Sequence, residues 1–592
     1  MTVILPYDIY VQILSHLPPT RRAHDDASVK ALVSCLQTNS VLRQAASSSI
    51  IWEAHYRKRY THLPIPIPAD IHDWKTRYFE RRRIDKRTLQ CLDSVVCERT
   101  NWESFWNTEG PFNFECWDVL ELEVEYNVPE KCLAVIKDPV RDGKPRSLTR
   151  GYWAQNLLRT IARFHALGVW ERLVASPTSV SFTESHNTLS VFFGVSPYTL
   201  AAHLDALGTK YLNFVKSQGI PIPSTPSPEF LKEKCECICR FMRDEGFGPA
   251  EGGAFTLTMN SFPHAYLTTH KRTIPISLVH IFVSLASRIG ITAFPVNFPG
   301  RVLAHIPLSD GDGFYVDVFN SHSKAILSND LSEFQGVQTW NLAGLTAHGL
   351  DMLVRAGRNI YHSSQSAREY TVDIQYAVDT ASCVALAMTG EPGLVRFLMQ
   401  EASLVSPLDS YVVLPALAKI LHPDGTRQML TSAYQQGQDE YLQGRARRRS
   451  RLEHPQVKYF VGMFFVHAKY QYHGCIIGWE PTCTMSKQWR DRNGIDNLSR
   501  GTHQPFYSSL SITANSQGVL QTFVAEENIQ PIALTSPDFV LQCIKFQKDF
   551  GAYFEGIDPH PNRWRMLLSS QLRQMYPQDD VFGASWVEIM NT

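Results

Sequence analysis

Proline stands at every second position in Leu63-Pro64-Ile65-Pro66-Ile67-Pro68 and crowds Pro221-Ile222-Pro223-Ser224-Thr225-Pro226-Ser227-Pro228. Each ring fixes φ and removes an amide donor, so neither segment can lie inside a helix or a sheet. The chain must therefore be several units joined by extended connectors. Its 592 residues, at roughly 100 to 200 per domain, suggest three to five units, and 44% hydrophobic content gives each the material for a core. Lys plus Arg and Asp plus Glu both total 57, so no global field draws the chain to nucleic acid or to an anionic membrane. Twelve cysteines are too sparse for a disulfide scaffold, and no basic segment precedes an apolar one at the N-terminus. The expectation is a reduced, intracellular protein without a membrane span, either cytoplasmic or nuclear.

Residues 4–17 read Ile-Leu-Pro-Tyr-Asp-Ile-Tyr-Val-Gln-Ile-Leu-Ser-His-Leu, which sets Ile9, Ile13, Leu14 and Leu17 at helical spacing with Pro6 in the first turn. Helical patterns follow at 29–36 and 41–46, and Ile50-Ile51-Trp52 closes the stretch. These residues resemble an F-box over about the first 55 positions. A helical unit of this size has too small a core to be robust alone, so its apolar face would gain from a partner. The resemblance implies docking on a Skp1-type adaptor, and through it a cullin, by Leu5, Pro6, Ile9, Ile13, Leu14 and Leu17, closed by Trp52. Apolar residues at Ile71, Trp74, Tyr78, Ile84, Leu89, Leu92 and Val96 predict a long amphipathic helix over 70–96.

The middle of the chain predicts the order helix, strand, strand, turn, strand between 274 and 319. The turn Ser309-Asp310-Gly311-Asp312-Gly313 lacks a glutamate at the twelfth loop position, so a plain hairpin is expected and calcium is not. This segment resembles the transglutaminase-like domain of the SirB1 family, on the papain-like fold. Active relatives of that fold use a Cys at a helix N-terminus, a His base and an orienting Asp. The resemblance puts these positions on Ser277, Arg301 and Asp317. A guanidinium cannot accept a proton near neutrality, so the site is expected to be degenerate, with Ser277 capping the helix and Arg301 paired with Asp317. A rescue by His305 is the alternative, and would make the chain a hydrolase or acyltransferase. Cys235, Cys237 and Cys239 lie in a helical pattern where residues two apart face different sides, so structural thiols are expected and no metal. No cofactor is expected. Residues 341–445 carry helical patterning but no chemical motif.

From 457 to 532 the character changes to β-branched and aromatic residues, with Gly462, Gly474, Gly478, Gly501 and Gly518 expected at turns between short strands of a small β-barrel. The blocks from Val461 to Trp479, Gln504-Pro505-Phe506-Tyr507 and Val524 to Ile529 resemble the YccV-like, or hemimethylated-DNA-binding, family. Six basic residues (Lys458, Lys469, Lys487, Arg490, Arg492, Arg500) against five acidic ones (Glu480, Asp491, Asp496, Glu526, Glu527) leave about +1, too little for a DNA-binding face. A protein or peptide ligand held by His467, Tyr472, Trp479 and Gln504 is preferred to DNA. The run Gly444-Arg445-Ala446-Arg447-Arg448-Arg449-Ser450-Arg451 is read as a solvated tail in preference to a nuclear-import or phosphate-binding patch.

The expected fold is multidomain α+β: an α-helical F-box (1–60), a linker and amphipathic helix (61–90), a papain- or transglutaminase-like α+β domain (91–340) with its helical extension (341–445), a basic linker (446–455), a small SH3-like β-barrel of the YccV type (456–535) and a C-terminal extension (536–592). The order of modules resembles the F-box only family. That resemblance implies a non-catalytic substrate receptor of a Skp1-cullin-F-box (SCF) ubiquitin ligase, against the alternatives of an enzyme or a DNA reader.

Overall fold

The computed structural model describes residues 5–21, 26–62, 73–98, 101, 113–132, 146–218, 227–298, 300–308, 313–322, 325–327, 349–365, 408–420, 448–512, 521–532, 537–546, 549–558 and 565–590, with a few positions between 374 and 439. Both proline segments lie largely or wholly outside the described residues, as do the turn at 309–312 and positions 444–447 of the basic run. The chain divides into two compact units. One joins Met1–Leu158 to Asp439–Thr592, and the other is Arg159–Gln438.

In the first unit, helices Tyr7–Ser15, Ala27–Thr38, Ser40–Ala46 and Ser49–Arg59 begin the chain. Asp26 and Asn39 cap the second and third by accepting the Val29 and Leu42 amides. Leu14, Leu32, Ala45, Ile51 and Trp52 form their core, but that core is completed by Trp74 and Tyr78 of the next helix, Trp74–Cys97. Trp52 stacks 5.2 Å from Tyr78 and 5.1 Å from Phe79. The expected amphipathic helix is thus present, and it buries Trp74, Tyr78, Arg81, Asp85, Thr88, Leu92 and Val95 along one stripe. Two buried polar residues of the stripe reach back: Asp85 accepts from Arg59 at 2.9 Å and Tyr60 at 3.0 Å, and Arg81 donates to the His62 carbonyl at 3.1 Å.

The later part of this unit holds strands β7 Phe464–His467, β8 His473–Glu480, β9 Phe506–Ile512, β10 Gln521–Ala525 and β11 Ile529–Pro531. They form an antiparallel sheet in the order β10-β9-β8-β7-β11. It is open, with β10 and β11 as its edges, where a closed barrel is expected. Gly474 and Gly478 are inside β8 and not at turns. A Cβ at Gly474 would meet Phe465 at 2.6 Å, and one at Gly478, beside a register shift, would meet the Tyr576 hydroxyl at 2.6 Å. The sheet shares its core with β12 Phe554–Ile557, β13 Met566–Leu568, helix Pro537–Phe546 and Leu148.

In the second unit, the predicted order is present. Helix Pro275–Arg288 is buried from Ile276 to Ala286, and β3 Phe294–Val296, β4 Leu303–Pro307, β5 Gly313–Val316 and β6 Ile326–Leu327 follow as an antiparallel sheet in chain order. A two-residue parallel ladder, β1 Gly248–Pro249 with β2 Arg272–Thr273, leads into the helix. Helix Pro228–Asp244 buries Cys235, Cys237 and Cys239, because it is covered on more than one side. Desolvation raises the thiol pKa of Cys235 and lifts that of Cys239 to about 12, so both are neutral. Of 341–445, helices Gly349–Ser364 and Asp409–Ile420 are described.

Candidate functional site

Helix Pro275–Arg288 opens with Pro at its first position and Ile274 as its cap residue with no side-chain cap, so Ser277 does not cap it as expected: the residue lies inside the first turn and its hydroxyl donates elsewhere. Ser277 follows in the first turn, fully buried, and its hydroxyl donates to the Asn260 carbonyl at 2.5 Å. Thr273 donates to the same carbonyl at 2.9 Å. Arg301 precedes β4 and donates to the Asp317 carboxylate at 2.6 Å, and Asp317 also accepts from the Asn320 backbone and side chain. His305 sits on β4 against Tyr315, ring centroids 5.1 Å apart, with its Nδ1 buried and without a hydrogen-bond partner among the described residues. Burial lowers its pKa. Thus Arg301 and Asp317 are brought together, while the Ser277 hydroxyl is directed to a main-chain carbonyl.

Beside the start of this helix lies a cavity of about 280 Å³. Its lining includes Ile274 and Ile276 of the helix start, Phe255 and Leu257, and Arg355 and His362 of helix Gly349–Ser364. None of these residues carries a motif, and Arg355 falls in the stretch to which sequence reasoning assigned no chemistry.

Of the N-terminal docking residues, Leu14 is buried in the helical core, and Trp52 is fully buried with its indole donating to the Ala46 carbonyl at 2.6 Å. Leu17 packs partly against the same core. Leu5, Ile9 and Ile13 are exposed, at 37%, 39% and 53%, and Tyr7, absent from the sequence expectation, joins them at 41%. Pro6, the N-cap of the first helix, is exposed beside them. The expected face therefore divides into an inner set and an outer set.

In the sheet, His467 Nδ1 accepts from the Lys469 and Tyr470 amides at 3.2 Å, which fixes the turn after β7. Its ring lies between Tyr470 and Tyr472, at 4.8 and 5.0 Å. The Tyr472 hydroxyl donates to Thr522 at 3.2 Å. Trp479 is 1% exposed and donates to Asp579 at 3.1 Å. Gln504, fully buried, donates to the Gly501 carbonyl and accepts from the Glu527 amide. His467 and Tyr472 are adjacent; Trp479 and Gln504 are interior and internally bonded. The end of the basic run is interior too, contrary to the solvated tail expected of it. Arg449 pairs with Glu480, and Arg451 donates to Asp579 at 2.6 Å and to the Val457 and Tyr459 carbonyls.

Among the described residues no group of His, Cys, Asp and Glu could hold a metal ion, and no helix is long and apolar enough to cross a membrane. The family model described as transglutaminase-like superfamily matches residues 202–345, and that described as hemimethylated DNA-binding protein YccV like matches 457–560. The chain is 26% identical to F-box only protein 21 of Mus musculus and of Homo sapiens over 304 residues, 47% of each chain. It is also 26% identical to that of Pongo abelii over 297 residues, 47% of this chain and 46% of the relative. The chain thus matches about half the length of these curated relatives. No solved structure matches it. The chain carries a transglutaminase-like domain followed by a YccV-like domain, and over about half its length it is similar to F-box only protein 21.

Proposed function

We propose that this chain is the substrate-recognition subunit of an SCF-type ubiquitin ligase, docking a Skp1-type adaptor, and through it a cullin, by its first helix. The observation that carries this reading is the outer face of that helix. Ile9 and Ile13, one turn apart on that face, present large apolar groups to solvent, Leu5 and Tyr7 are exposed at the start of the helix, and Leu14 is buried in the helical core. Exposed clusters of this kind mark interaction surfaces. Similarity to proteins named F-box only protein 21 points the same way. Ubiquitin transfer would come from other subunits, so this chain's contribution is positioning and effective concentration.

The central domain acts as a scaffold without turnover. Two observations support this: Ser277 is sealed against the Asn260 carbonyl, and the position of the base is taken by an arginine already paired with Asp317. A protein partner of the YccV-like domain is favoured over DNA, and residence is intracellular. The test is affinity purification of the full chain beside an Ile9→Glu/Ile13→Glu variant. Both positions are exposed, so folding should survive. Recovery of a Skp1-type adaptor and a cullin by the parent, with loss in the variant at an unchanged melting temperature, is expected. Failure of the folded parent to recover either would sink the adaptor reading.

A further inference from the structure

The cavity beside helix Pro275–Arg288 has a charge asymmetry that a passive scaffold does not need. None of its lining residues is acidic, yet Arg355 and His362 both lie on it. Arg355 donates through Nη1 to the Asn297 side chain at 2.5 Å and the Phe298 carbonyl at 2.9 Å, and among the described residues it has no carboxylate partner. A half-buried guanidinium is ordinarily paired, because burial without a counter-charge is costly. Ser261, 2% exposed, also lines the cavity, and its hydroxyl has no hydrogen-bond partner among the described residues. The helix start adds a third donor. Pro275 has no N–H, the Ser277 and Leu278 amides turn back to the Ile274 carbonyl at 3.1 Å, and the Ile276 amide has no partner among the described residues. The dipole of a 14-residue helix favours negative charge at this end.

Much of the remaining lining is apolar: Phe255 and Leu257 are large, 43% and 47% exposed, and Val302 and Ile274 also line the cavity. A volume of about 280 Å³ is at the small end for ligand pockets, enough for one side chain and a carboxylate and not for a folded surface. An anionic head joined to an apolar group satisfies both sides at once, and every protein chain ends in such a group if its last residue is apolar. We propose that this cavity binds the free C-terminal carboxylate of a protein ending in an apolar residue, with the carboxylate toward Arg355 and Ser261 and the terminal side chain against Phe255, Leu257 and Val302. It rests on the adaptor function proposed above, for which it names the substrate class. A small apolar acid shares the head chemistry, and the experiment separates the two sources.

Fluorescence polarisation of the purified full chain, without any adaptor present, would compare labelled Gly-Ser decapeptides ending in Val, Leu or Phe as free acids with their C-terminal amides, and phenylacetate would serve as the small acid. At least one free acid should bind about tenfold or more tighter than its amide, as expected for a charge-assisted contact. Arg355→Gln should bring acid and amide together. Because Arg355 also holds Asn297 and Phe298, a second variant, Leu257→Glu, sets a carboxylate at an exposed rim position and should weaken the acid at an unchanged melting temperature. Equal binding of acids and amides, no binding by any peptide, or binding of phenylacetate where no peptide binds would overturn the proposal. Recovery of the Skp1-type adaptor by Arg355→Gln is measured in parallel: its retention while peptide binding is lost separates failure of this site from failure of the docking face.

Discussion

Asp579 illustrates what a single residue contributes when it is the acceptor for several buried donors. Fully buried at the start of helix Asp579–Met590, it accepts from Arg451 twice, from the Val461 amide at 2.8 Å and from the Trp479 indole. Removing one partner of a buried pair leaves an uncompensated charge, at a cost of about 3–5 kcal/mol. Asp579→Ala should therefore destabilise the first unit by about that amount, read from the urea unfolding transition by circular dichroism, and Asp579→Asn, which keeps an acceptor oxygen for the Val461 amide or the Trp479 indole, should lose less. Ser277 lies at the other extreme. Ser277→Ala removes one of two hydrogen bonds to the Asn260 carbonyl and leaves that of Thr273, so about 0.5–1.5 kcal/mol is expected in denaturant titration.

A pair of buried histidines gives the same unit a pH dependence of defined sign. His280 donates or accepts at the Tyr266 hydroxyl, 2.9 Å away, and desolvation depresses its pKa to about 3. His186 packs 5.0 Å from it with neither ring nitrogen bonded among the described residues, and burial holds its pKa well below the usual value. Both are neutral when folded and take a proton when unfolded below about pH 6.5. Stability is thus unaffected by them above that pH and is lost as pH falls toward the folded pKa, by up to roughly 1.4 kcal/mol per unit for each histidine. Melting temperatures between pH 7 and 4.5 should fall more steeply for the parent than for His186→Leu, which removes one titrating group without stranding a hydrogen-bond partner.

At the scale of elements, helices and the central hairpin were legible because their apolar periodicity meets one face of a core. The stripe from Trp74 to Val95 and the run Ile276 to Ala286 are read directly from spacing. What spacing does not encode is which partner covers each face. Leu14 and Ile13 are neighbours of equal hydropathy, and only the packing of Leu32 and Trp52 decides that Leu14 is inner and Ile13 outer. Gly478 reads as a turn, yet it is a strand residue whose missing side chain admits Tyr576, nearly a hundred positions away. Because Trp74 and Tyr78 complete the N-terminal core, a fragment ending at residue 62 should lack a cooperative thermal transition by circular dichroism, whereas Trp52→Ala in the full chain should cost about 3–5 kcal/mol.

For the whole molecule, the decisive feature is that both ends of the chain build one unit. Thr149 donates to the Phe554 carbonyl at 2.9 Å, and a Cβ at Gly551 would sit 2.5 Å from that of Tyr152. This also bears on nucleic acid. The YccV-like domain has a basic run beside it, but affinity for DNA requires cations free to replace counterions at several phosphates. Arg449 and Arg451 are committed to Glu480 and Asp579, and Arg500 lies against Glu526 and Glu527. The acidic groups that hold these arginines, most of them distant in sequence, keep the local balance near zero. Filter binding of a hemimethylated and an unmethylated duplex at about 50 mM salt should therefore give equal, weak retention with a shallow salt slope; methylation-dependent retention, or a slope equivalent to several phosphates, would restore DNA as the ligand of this domain.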